Sequence, residues 1–121
     1  MKPMNISSAI MAFSQGEKIK SSVICITQSI ELLGGLFGAE REGAEKVVKM
    51  NVEMTAMEIH LSQKITGDES WVDILKHVDM ALVMIDSGVP QEASFHLTRA
   101  LSHVTGIGQR SMTFLKEKDL L

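Results

Sequence analysis

Apolar residues recur at steps of three and four along most of this chain. In the first long segment the spacing joins six residues: Ile19, Val23, Ile26, Ile30, Leu33 and Phe37. Because an α-helix has about 3.6 residues per turn, these side chains share one helix face. The glycines at positions 34, 35 and 38 predict the end of that helix, since glycine is favoured just past a helix C-terminus.

A second segment, residues 40–64, contains a stripe that we call the methionine seam: Val47, Met50, Met54, Met57 and Leu61. Methionine is flexible and polarizable, so such a stripe is typical either of an adaptable core or of a surface that binds another apolar face. Gly67 predicts the end of this helix, and Asp68 or Ser70 is expected to cap the next one.

Two more helices follow, over residues 71–85 and from Pro90 onward. The fourth helix has two adjacent apolar stripes, formed by Leu97, Leu101, Val104, Gly108, Ser111 and Leu115 and by Ala93, Ala100, Ile107 and Phe114. Between the two helices, Gly88 suits a left-handed stop and Pro90 suits a first helical turn. So short a connection predicts antiparallel neighbours.

These four segments predict an all-α fold, an antiparallel four-helix bundle built from two helical hairpins in a single domain over residues 1–121. Ile6, Ile10 and Phe13 lie upstream of the first long stripe. They belong either to the first helix or to a short extra N-terminal helix, because Gly16 weakens the join without forbidding it.

The first two helices have more apolar residues than one core face needs. The surplus lies on a second face of each helix, at Ile24, Leu32, Leu36, Val48, Val52 and Ile59. A helix with two apolar faces must bury both, in a fuller core or against a partner. We expect the methionine seam to be core and these six residues to be the partner-binding surface. Symmetric dimers are the commonest oligomers, so the sequence favours a homodimer.

Composition narrows the classes of function. The net charge is −3 with acids and bases interspersed, so nucleic-acid binding is not expected. Residues 21–39 are apolar, but Glu31 and several hydroxyl side chains interrupt them, so no membrane span is expected. The lone Cys25 excludes an intrachain disulfide, and no secretory signal follows Met1. Together these features favour a cytoplasmic protein.

The histidines are the only obvious ligand candidates: His60, His77, His96 and His103. His96 and His103 are seven residues apart, roughly 10 Å along a helix, which is too far for both to bind one metal ion directly. Arg99 lies between them and disfavours a cation. The Glu-x-x-His motif of bundle di-iron sites and the Cys-x-x-Cys-His motif of covalent haem are both missing. We therefore predict no metal site, no cofactor and no catalytic residue.

The sequence thus favours a non-enzymatic interaction protein, such as an adaptor, a chaperone-like protein or a regulatory subunit. It would act through apolar helix faces and bind the amphipathic segment of a protein partner. The alternative is a histidine-dependent bundle, with or without enzymatic activity, that binds a metal, haem or a small ligand. A third hypothesis is a purely structural dimeric module.

Overall fold

A computed structural model describes residues 4–121 of the chain, which form four α-helices. They are α1 (Ile6–Leu33), α2 (Gly38–Thr66), α3 (Ser70–Asp86) and α4 (Pro90–Glu117). Each helix packs against its neighbours in the chain, and α4 closes the ring against α1. The predicted all-α four-helix bundle is confirmed. Residues 1–3 lie outside the described residues, and they begin the segment in which no secretory signal is expected.

Three short connections join the helices, and left-handed glycines stand at their ends. Gly67 ends α2 with a φ of 67°, and its amide donates a hydrogen bond of 2.8 Å to the carbonyl of Gln63. Gly88 has a φ of 82° and precedes α4, whose first residue is Pro90. The Asp68 carboxylate accepts a hydrogen bond of 2.8 Å from the amide of Ser70. The turns predicted at Gly67 and Gly88 are confirmed, but the N-cap residue of α3 is Glu69 and it makes no side-chain cap hydrogen bond, so the expected cap at Asp68 or Ser70 is wrong.

The N-terminal residues continue directly into α1. Asn5 caps this helix by accepting a hydrogen bond of 2.8 Å from the amide of Ser8. Gly16 does not interrupt the helix, and it lies buried where α1 meets Val104 of α4. A separate short N-terminal helix, one of the two alternatives, is therefore wrong.

The predicted core faces of α1 and α4 are mostly confirmed. Of the six residues in the α1 stripe only Phe37 differs, since it precedes α2 and is largely exposed. The core of α3 includes Trp71, which is fully buried and whose indole N–H has no hydrogen-bond partner among the described residues. None of the four helices in the described part of the chain is long and apolar enough to cross a membrane.

In α2, the buried and exposed faces are the opposite of those predicted. Val48, Val52 and Ile59 are at most 3% exposed and belong to the hydrophobic core. The five residues of the methionine seam are instead between 46% and 71% exposed. Val48, Val52 and Ile59 therefore cannot form a partner surface on the folded chain, and the prediction that the seam is core is wrong.

Hydroxyl side chains explain why the buried and exposed faces of α2 are the opposite of those predicted. The buried face of α2 also includes Thr55, Ser62 and Thr66, which read as polar in the sequence. Each hydroxyl donates a hydrogen bond of 2.8–2.9 Å to the carbonyl four residues earlier, so its burial leaves no unsatisfied donor. Small residues of this kind also cost less side-chain entropy to bury than methionine does. The face with hydroxyls packs inward and the methionines stay outside.

A matched pair of truncations tests which face of α2 is core. We expect Ile59→Ala to lower the free energy of unfolding by about 2–5 kcal/mol, because it leaves a cavity at a fully buried site. Met57→Ala removes a mostly exposed side chain and, at protein concentrations low enough to exclude association, should change it by no more than about 0.5 kcal/mol. Urea denaturation followed by circular dichroism measures both. Equal losses in the two variants would contradict the assignment.

Candidate functional site

The methionine seam is a continuous apolar stripe that the bundle leaves exposed. Its members follow one another at steps of three, four, three and four, which is the a/d spacing of a coiled-coil heptad. The seam extends over about 21 Å at a rise of about 1.5 Å per residue. Ile65, one turn beyond Leu61, is 42% exposed and prolongs it. Such a stripe is the surface that a second helix covers in a coiled coil.

Polar side chains flank the seam on both sides. Lys46, Glu53 and His60 are exposed and occupy the three g positions of the heptad when Val47 is an a position. Asn51 and Glu58 occupy e positions on the opposite flank. The charges border the apolar stripe without interrupting it, as in helices that choose their partners through flanking charges.

Contacts with α1 hold the e-position flank in place. The Glu58 carboxylate accepts from the Lys18 amine at 3.1 Å and from the Gln15 amide at 3.4 Å. The Lys18 hydrogen bond, with a smaller contribution from Gln15, lowers the pKa of Glu58 below its ordinary value. The same Gln15 amide donates to the buried Ser62 hydroxyl at 2.9 Å. These contacts form with the buried face of α2 packed inward, which points the seam away from the core.

A cleft of about 510 Å³ between α1 and α2 opens beside the seam. Met54 of the seam lines one wall and the exposed Cys25 lines the other, while Lys18 and Glu58 border the same cleft. The apolar stripe therefore continues into a concave region at its centre.

The other residues predicted as partner-binding lie on α1 and just after it. Ile24 and Leu32 are exposed, and Leu36 is partly buried against the core. They remain predictions as partner contacts. The methionine seam itself was the residue set that sequence reasoning placed wrongly. The spacing alone could not have indicated an exposed surface, because the α1 core stripe from Ile19 to Leu33 alternates steps of four and three in the same way.

The histidines divide into two groups. His60 is exposed on α2, beside the seam. Across α3 and α4, the rings of His77 and His103 stack with their centroids 5.2 Å apart and an angle of 21° between their planes. His96 contacts Phe95 edge-on at 5.5 Å, and Arg99 lies 4.6 Å above the same Phe95 ring. Within residues 4–121, no three or more His, Cys, Asp or Glu side chains are grouped to hold a metal ion.

The surroundings of His77 favour its neutral form. Partial burial is the main cause that lowers the pKa of this imidazole below its ordinary value. The nearby positive charges of His103, Arg99 and His96 lower it further, and the Asp73 carboxylate opposes them only in part. The folded chain therefore disfavours a proton on His77.

The lowered pKa of His77 predicts a pH dependence of stability. The unfolded chain takes up this proton near pH 6.5, whereas the folded chain takes it up only at lower pH. Stability is therefore fully present above about pH 6.5 and is lost as the pH falls through the folded value. We expect His77→Gln to reduce the loss of stability between about pH 7 and pH 5, measured by urea denaturation. An NMR midpoint for His77 at or above about 6.5 would contradict the assignment.

Comparison with known proteins identifies no relative of this chain. No protein-family model, curated protein or solved structure matches the chain. The arrangement of the chain's own residues is therefore the basis for inferring its function.

Proposed function

We propose that this chain is a non-enzymatic interaction protein that binds the apolar face of a partner helix through the methionine seam. One observation carries the proposal: five apolar side chains in heptad spacing, 46–71% exposed, lie on a helix whose opposite face is fully packed. One apolar face of α2 is buried in the chain's own core, so the second face is free to associate with another molecule.

The chemistry of the seam supports binding to a helix. Met50, Met54 and Met57 have unbranched, flexible side chains that adapt to the shape of an apposed apolar surface. The flanking charges then favour some partners over others. This combination fits an adaptor, a chaperone-like protein or a regulatory subunit that acts on an amphipathic segment. We place it in the cytoplasm, because an exposed thiol such as that of Cys25 persists in a reducing compartment.

Site-specific photo-cross-linking in the native cell tests this function. A photoreactive amino acid at position 57, the most exposed position of the seam, should form discrete adducts with a protein segment that is an amphipathic helix. Mass spectrometry should place the linked atom on the apolar face of that helix. Adding Met54→Glu to the same chain should abolish the adducts, since a carboxylate at the centre of the contact is costly to bury.

Position 80 provides the matched control. Met80 is an exposed methionine on α3, outside the seam. The photoreactive residue placed there should give none of the adducts obtained at position 57. If the two positions give the same adducts, or if Met54→Glu leaves the adducts at position 57 unchanged, the seam is not the binding surface.

A basic depression that includes His77 supports a second candidate function, the binding of a small ligand. Lys76, Phe95 and Arg99 line a shallow depression together with His77 and His96, and the excess of basic groups there favours an anion over a metal cation. If this candidate holds, inorganic phosphate at millimolar concentration shifts the imidazole NMR signals of His77 and His96, and Arg99→Ala removes the shift. Unchanged signals with both phosphate and Zn²⁺ would exclude it.

A further inference from the structure

We infer that the helix which covers the methionine seam is α2 of a second copy of this chain, antiparallel to the first, with Met54 facing the partner's Met57. This inference rests on the proposed function of the seam and names its occupant. The resulting contact is isologous, so it closes into a dimer.

The position of the seam on α2 allows a second bundle to approach. Val48, Val52 and Ile59 occupy b and f positions of the heptad, which lie on the side of the helix opposite a and d. They pack in the chain's own core, while the seam points away from it. Two bundles can therefore meet through their α2 helices without any change in either core.

The flanking charges select the antiparallel arrangement. With Met54 opposite the partner's Met57, Met50 lies opposite the partner's Leu61. Antiparallel pairing also sets the g positions of the two helices against each other. Glu53 then faces the partner's His60, and the twofold axis repeats this pair. On the other flank, the Asn51 amide faces the partner's Glu58, whose carboxylate has acceptor capacity beyond its bonds to Lys18 and Gln15.

Other arrangements of the same two helices bring like charges together. In a parallel pair in register, g positions face e positions of the next heptad, so Glu53 would oppose the partner's Glu58. An antiparallel pair shifted by seven residues would set Glu53 against the partner's Glu53 across the twofold axis. In the inferred register, Lys64 faces the partner's Val47 at each end of the seam, where its aliphatic stem covers valine and its amine reaches solvent.

Sedimentation velocity at a series of concentrations tests the dimer. The wild-type chain should show a monomer–dimer equilibrium, and Met54→Glu should raise the dissociation constant by more than about tenfold, because each dimer then buries two carboxylates in apolar surroundings. Met80→Glu makes the same chemical change at an exposed site outside the seam and should leave the constant unchanged. Circular dichroism should show equal helix content in all three proteins.

Cross-linking between two differently tagged variants tests the register. Cys25 is the only cysteine, so Cys25→Ser gives a thiol-free background. In that background, we expect a short thiol-specific cross-linker to join Met54→Cys to Met57→Cys in a mixture, and Met50→Cys to Leu61→Cys. Cross-links between two copies of the same variant would indicate the parallel arrangement. A cross-link between Met50→Cys and Met54→Cys would indicate the antiparallel arrangement shifted by seven residues. Either result would overturn the inferred register.

The two proposals fail in different ways. A wild-type chain that stays monomeric, yet gives seam-dependent photo-adducts with another protein in the cell, overturns the second copy and leaves the proposed function intact. A monomeric chain without seam-dependent adducts overturns both. Photo-adducts at position 57 that consist of the chain linked to itself through α2, together with the dimer, support both.

Discussion

The second helix has two apolar faces, and the bundle can enclose only one of them. That constraint determines which apolar side chains remain exposed on the surface of the bundle. The inward face is built from small or β-branched residues, including hydroxyls that bond to their own helix, and it packs against α1 and α3. The outward face has long, flexible thioethers. The choice between the two faces therefore separates the residues that hold the fold from those that can bind another molecule.

Polar contacts between α1 and α2 add to the preference that burial of the core face gives. The Gln15 amide reaches both Ser62 and Glu58, and Lys18 reaches Glu58 from the next turn of α1. A rotation of α2 that turned the methionine seam inward would break these contacts and would leave the aliphatic core residues Val52 and Ile59 in water. Glu58 thus belongs both to the bundle, through its partners on α1, and to the border of the exposed seam.

Much of the fold could be predicted from the sequence, because the most regular apolar stripe of α1 and of α4 is also the buried one. In α1 and α4 that face follows aliphatic residues at helical spacing, and the glycines at positions 67 and 88 mark the turns. The orientation of α2 could not be predicted in the same way. Thr55, Ser62 and Thr66 look polar in the sequence, and only their hydrogen bonds to the preceding turn reveal them as core residues. The stacking of His77 on His103 depends on how α3 and α4 align, which spacing within one helix does not report.

The single tryptophan gives this chain an unusual optical property. Trp71 is completely enclosed at the start of α3, and no part of its ring reaches the surface. The methionine seam contains no chromophore of its own. Intrinsic fluorescence therefore follows the packing of the bundle interior and is insensitive to what lies against α2. Folding and association are therefore spectroscopically separate events in this molecule. Tryptophan emission reports whether the chain is folded, and a label on α2 is needed to report binding at the methionine seam.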